Sequence, residues 1–168
     1  MPTFTLIAAH TIPTAVADYT FTAIPNTYTD LVLKISARST ANGGQNCNLT
    51  FNSNTSGYSD RILSGNGSSA ASFSSGNTSR GGSIVIPGAD FTASTFGNGE
   101  IYIPNYAGSA AKSFSSDSGS ENNATLSYLQ MQATLWNNTA AITSIKIDLS
   151  GGNFAVNSTF YLYGVSNA

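Results

Sequence analysis

Only 8% of the 168 residues are charged, the net charge is −2, and 40% are hydrophobic, which describes a folded domain with a polar, nearly uncharged surface rather than a disordered chain. Six basic residues scattered from Lys34 to Lys146 leave no electrostatic footprint for a phosphate backbone, so nucleic acid is not an expected partner. No run approaches the roughly 18 apolar residues of a membrane span, and "MPTFTLIAAHTIPT" lacks the basic start of a signal peptide. The chain is expected to be made in the cytosol, to stay soluble and to have no membrane partner.

In chain order, "TFTLIAA" alternates so that Phe4, Leu6 and Ala8 share one face of a first strand. His10 follows as a turn or edge residue. With a single histidine and no Gly-x-Ser-x-Gly elbow, a Ser-His-Asp hydrolase is not expected. In "TDLVLKISARS", Leu31, Leu33, Ile35 and Ala37 point inward while Lys34, Ser36 and Arg38 point outward. Asp30 and Asp90 are turn residues whose side chains bond nearby backbone. Cys47, the single cysteine, excludes an internal disulfide and suits a small strand position.

The serine-rich stretch 64–82 holds the turn clusters "SGNGSS" and "SSGNTSRGG" and is expected to be polar loop. "GNGSSA", Gly65 to Ala70, fits a loose dinucleotide fingerprint, but no amphipathic helix follows to receive a phosphate. In "FGNGEIYIPNY", Gly97-Asn98-Gly99 is expected to be a turn. Ile101 and Ile103 then face the core, Glu100 and Tyr102 face outward, and Pro104-Asn105 ends the strand.

A second serine-rich patch spans 113–123, with "SSDSGSENN" as a turn cluster. Asp117, Ser118, Ser120 and Glu121 offer oxygens there but lack the spacing of a calcium loop. "YLQMQATLW" is expected to turn Leu129, Met131, Ala133 and Leu135 inward, and "TSIKIDLS" to turn Ile145, Ile147 and Leu149 inward.

Alternation of period two throughout, with no helical period, predicts an all-β antiparallel sandwich of eight to ten strands with little or no helix, in a single domain over 1–168. A chain with few charges to protect its sheet edges is expected to hide them against neighbours. The eight carboxylates fall singly along the chain, so Glu100 has no second acid for glycoside cleavage, and no catalytic, metal or cofactor residues are assigned. The chain is expected not to be an enzyme. Glu100, Tyr102, Tyr106, Trp136 and Tyr58 form the candidate contact surface. Each aromatic has two readings, a platform for a glycan or a filler of core or interface.

Three stretches, "YTDLVLKISARS", "TFGNGEIYIPNYAGS" and the ending "TAAITSIKIDLSGGNFAVNSTFYLYGVSNA", together resemble small β-structured virion proteins and domains of tailed bacteriophages. The resemblance implies a jelly-roll-like sandwich used as a particle component. A chain that is only the sandwich suits a capsid decoration (cement) protein on the virion surface, made in the host cytoplasm and bound to the major capsid protein. It also implies self-association as a homo-oligomer, a trimer at threefold positions. The alternative is a tail or fibre module that binds a host glycan receptor. The family brings no catalytic residues.

Overall fold

The computed structural model describes residues 1–121, 123 and 127–166. Asn122, near the end of the second serine-rich patch, and the terminal Asn167 and Ala168 lie outside the described residues. The described residues contain no helix and twelve strands. In chain order these are β1 (Thr3–Thr11), β2 (Asp18–Phe21), β3 (Asp30–Ala37), β4 (Gln45–Phe51), β5 (Tyr58–Gly65), β6 (Ala70–Thr78), β7 (Gly81–Ile86), β8 (Gly97–Ile103), β9 (Lys112–Ser120), β10 (Tyr128–Trp136), β11 (Ile145–Leu149) and β12 (Thr159–Ser166).

They form an eight-stranded sheet, β1-β12-β3-β8-β9-β10-β5-β6, and a four-stranded sheet, β2-β11-β4-β7. All pairings are antiparallel. Setting aside the hairpins β5–β6 and β9–β10 leaves β1-β12-β3-β8 over β2-β11-β4-β7, the nested connectivity of a jelly roll. The hairpins add a four-stranded wing, β9-β10-β5-β6, to the β8 edge of the larger sheet. The strand count exceeds the eight to ten expected because both serine-rich stretches, expected as loops, lie largely in strands of the wing. The "GNGSSA" segment is the hairpin tip, where the Asn66 carboxamide oxygen accepts from the backbone N–H groups of Ser68 and Ser69 at 3.1 and 2.9 Å.

The frame buries what alternation predicts. Leu31, Leu33, Ile35 and Ala37 of β3 and Ile101 and Ile103 of β8 pack against Ile145 and Ile147 of β11, Leu49 and Phe51 of β4, and Ile84 and Ile86 of β7, all essentially buried. Each such side chain contributes about 1.5–3 kcal/mol by leaving water. Gly97 and Gly99 are strand residues of β8 rather than a turn. A Cβ on Gly99 would stand 2.7 Å from Ile84 Cδ1 and 3.0 Å from the Asp117 carbonyl oxygen, so the glycine lets the two sheets approach closely. Arg38 does not extend into solvent. Its guanidinium donates to the carbonyls of Ala89, Phe91, Thr92 and Thr95 at 2.9–3.1 Å and pins the loop before β8.

Two strands depart from the expected facing. In β1 the register shifts between Leu6 and Ala8, and this bulge leaves Phe4 and Leu6 on the open side while Ile7 and Ala8 pack on the core. In β10 the facing is inverted along the whole strand. Gln130, Gln132 and Thr134 are 6%, 4% and 2% exposed, whereas Leu129 and Met131 are 66% and 60% exposed and Leu135 is 38% exposed. Ala133 is also on the exposed side.

The cause is what lies beneath the wing. There β10 meets no apolar sheet face but β7, an edge strand of the smaller sheet, whose outward backbone groups need partners. The wing supplies them. Ser118 Oγ accepts from Val85 N–H at 3.2 Å, and Thr134 Oγ1 accepts from Gly82 N–H at 3.1 Å. Gln130 Nε2 and Ser116 Oγ donate to the Ser83 carbonyl at 3.1 and 3.2 Å. Asp60, 6% exposed on β5, closes the layer by accepting from Gln132 Nε2 at 2.5 Å, Thr134 Oγ1 at 2.7 Å and Ser75 Oγ at 3.0 Å. Below this layer, Phe51, Phe114 and Trp136 pack at ring separations of 5.1 and 5.4 Å from Phe51 and join wing to frame.

Asp60→Ala is expected to lower stability by about 2–4 kcal/mol, because it strands several buried donors at once. Asp60→Asn, which keeps one acceptor oxygen, is expected to lose less. Urea unfolding midpoints measure both, and an unchanged midpoint for Asp60→Ala would contradict the role given to this layer.

Candidate functional site

Among the described residues, no strand or sheet packs over the outward face of the larger sheet. Register traces two straight rows across it from β12 to β5. One runs Tyr161, Lys34, Glu100, Asp117, Met131, Leu63, and the next Tyr163, Val32, Tyr102, Ser115, Ala133, Arg61. The outward face of the smaller sheet differs in kind. It carries the ion pairs Arg80–Asp148 at 2.7 Å and Lys146–Asp18 at 3.1 Å, an ordinary solvated face.

Of the candidate contact residues, Glu100 and Tyr102 lie on the open face. Lys34 Nζ sits 2.8 Å from Glu100 Oε2, a half-exposed pair of small energetic weight. Its hydrogen bond with Glu100 is the main reason the Lys34 ammonium is held above the ordinary lysine value. Tyr102 Oη donates to Asp30 Oδ2 at 2.8 Å, and Asp30 Oδ1 accepts from Asn105 N–H at 2.9 Å. Asp30 thereby fixes the phenol ring and the turn that ends β8.

Tyr58, Tyr106 and Trp136 are fully buried and belong to the interior. Tyr58 Oη accepts from Phe51 N–H at 2.8 Å and Tyr106 Oη donates to the Pro25 carbonyl, so each phenol tip has a partner and needs no contact surface. For these three the core reading holds.

The β8–β9 register sets Asp117 directly opposite Glu100, so Glu100 does have a neighbouring acid that spacing along the chain did not reveal. The pair stands on a flat, open face with Glu100 committed to Lys34. The alternation of β9 also separates three of the four oxygen donors considered for calcium, with Asp117 outward and Ser118 and Ser120 buried. His10 stacks on Tyr19 at 4.0 Å.

Sequence reasoning missed Tyr161 and the outward apolar residues of the wing, Leu63, Leu129, Met131 and Leu135. The face they build with Tyr102 mixes aromatic, aliphatic and few charged groups, the composition of a protein-binding surface. No protein-family model matches the chain, and no curated protein or solved structure matches it.

Burial pushes the Tyr58 phenol up to about 12, the Phe51 N–H offsetting part of the rise. The hydrogen bond to Asp30 is the main cause raising that of Tyr102. Both phenols bind their protons more tightly folded than unfolded. Their contribution to stability is therefore full below about pH 10 and is lost as pH climbs through the raised values. Urea midpoints are expected to hold up to about pH 10 and then fall, and Tyr58→Phe to shallow that fall. An equally steep fall in the variant would refute the assignment.

Proposed function

We propose that this chain is a non-enzymatic structural component of a bacteriophage virion, a capsid decoration protein that seats the open face of its larger sheet on the major capsid protein. One observation carries the reading. The stretches that resemble virion proteins contribute β3, β8, β11 and β12, of which β12, β3 and β8 are neighbours in the larger sheet and β11 lies in the smaller one. The shared outward side of β12, β3 and β8 is the patch of Lys34, Glu100, Tyr102, Tyr161 and Tyr163, set around a buried Val32. The jelly-roll connectivity is also that of many capsid domains. Few ion pairs and many uncharged contacts make such a joint insensitive to salt, unlike charges screened over about 8 Å at physiological ionic strength.

A second reading is supported by the half-exposed rings of Tyr102 and Tyr161 on one flat face, which suits a tail or surface module that binds a host glycan. Virions lacking the chain are expected to lose heat or osmotic resistance while adsorbing normally, and Tyr102→Ala with Tyr161→Ala to lower occupancy on shells. Unchanged particle stability with lost adsorption, together with glycan binding by the isolated chain, would favour the second reading over the first.

A further inference from the structure

The wing carries an apolar stripe that the proposed shell contact does not require. Leu63, Leu129 and Met131 are each more than half exposed, and Leu135 beside them is 38% exposed. A groove of about 770 Å³ runs along this face from β9 to β6, and Leu63, Met131, Arg61 and Asp117 are in its lining. Arg61 stands on β5 and Asp117 on β9, one strand to either side of β10, so their backbones are about 10 Å apart across the sheet.

Asp117 lies opposite Glu100, a like charge on the neighbouring strand, and Lys34, on which Asp117 also exerts a weak attraction, is committed to Glu100 at 2.8 Å. Arg61 donates to the Asp60 backbone carbonyl at 2.8 Å, and neither it nor Asp117 has an ion-pair partner among the described residues.

We infer that two copies of this chain pack their wings face to face about a two-fold axis running along β10. This rotation exchanges the β5 side of one copy with the β9 side of the other. Arg61 of each copy then lies about two residues, roughly 7 Å, along the strand from Asp117 of the other, within reach of an arginine side chain. A foreign partner would have to present an acid and a base at matching places, whereas a second copy supplies both by symmetry.

The wing measures about 19 by 30 Å, so the pair buries about 1,200 Å² in total, at the lower end of stable interfaces. The same rotation lays the β6 edge of each copy over the other's β8 and carries β3 and β12 past that edge, which leaves Tyr161 and Tyr163 open while Tyr102 borders the joint. A face packed on itself is isologous and two-fold, so the threefold assembly implied by the resemblance is not expected through this surface. The inference does not rest on the virion reading, since the pairing is a property of the isolated chain.

Sedimentation equilibrium of the full chain over micromolar to hundreds of micromolar concentrations tests it. The expected result is a mass rising from 17.4 kDa to twice that value. Arg61→Asp and Asp117→Arg are each expected to weaken pairing at least tenfold, and the double variant to restore it. Both substitutions sit on exposed positions, and circular dichroism checks that the fold is kept. A mass of one chain at every concentration, a mass of three, or a double variant no better paired than the singles would overturn the proposal.

Discussion

An edge strand must find partners for the backbone groups it turns away from its own sheet, and β7 finds them in side chains. Ser116, Ser118, Gln130 and Thr134 reach its N–H and carbonyl groups from beneath the wing. That requirement makes the inner side of β9 and β10 polar. Because strand residues alternate, the apolar residues of β10 have only the outer side left. The open apolar face is therefore the counterpart of a satisfied edge. Each buried hydrogen bond is worth about 1 kcal/mol net, and each large apolar side chain left in water withholds about 1.5–3 kcal/mol. The wing thus stabilises the fold largely through polar contacts and leaves its hydrophobic surface on the open side.

The two outer faces divide the work of the fold. The smaller sheet shows water its ion pairs, as a solvated face should. The larger sheet shows tyrosines, aliphatics and a sparse row of charges, and it does so over strands from both the jelly-roll frame and the wing. Tyr102 and Tyr161 belong to the frame, whose spacing is fixed by a tightly packed core. Leu63 and Met131 belong to the added hairpins. Contacts made by the two regions are mechanically linked, because β8 and β9 are continuous neighbours in one sheet.

Much of the frame was legible. Alternation locates β3, β8 and β11 and assigns their inward residues correctly, since each has an apolar sheet beneath it and charges such as Lys34 or Lys146 on its other side. In β10 the alternation is equally clean but the facing is reversed. Its polar set is Gln130, Gln132 and Thr134, amides and hydroxyls without a single charge, and that distinguishes a buried polar layer from a solvated side. The loop assignment of β6 and β9 failed for a related reason. Serine is a poor strand former by propensity, but here its hydroxyls bond across buried layers, and tertiary context overrides the preference. The tyrosines Tyr58 and Tyr106 could not be sorted from Tyr102 by sequence, because all three have an apolar ring and a bonded hydroxyl.

The order of the strands has a consequence for synthesis. β5 and β6 emerge from the ribosome well before β10, yet β10 is their only neighbour in the sheet. For that interval the hairpin waits with both edges unpaired, the state in which strands recruit strands from other chains. The serine, asparagine and glycine of "SFSSGNTS" are poor material for such recruitment, since sticky segments are apolar and strongly β-forming. The low-complexity composition of β6 thus acts as protection during birth, and it persists in the finished molecule as the outermost strand of the larger sheet.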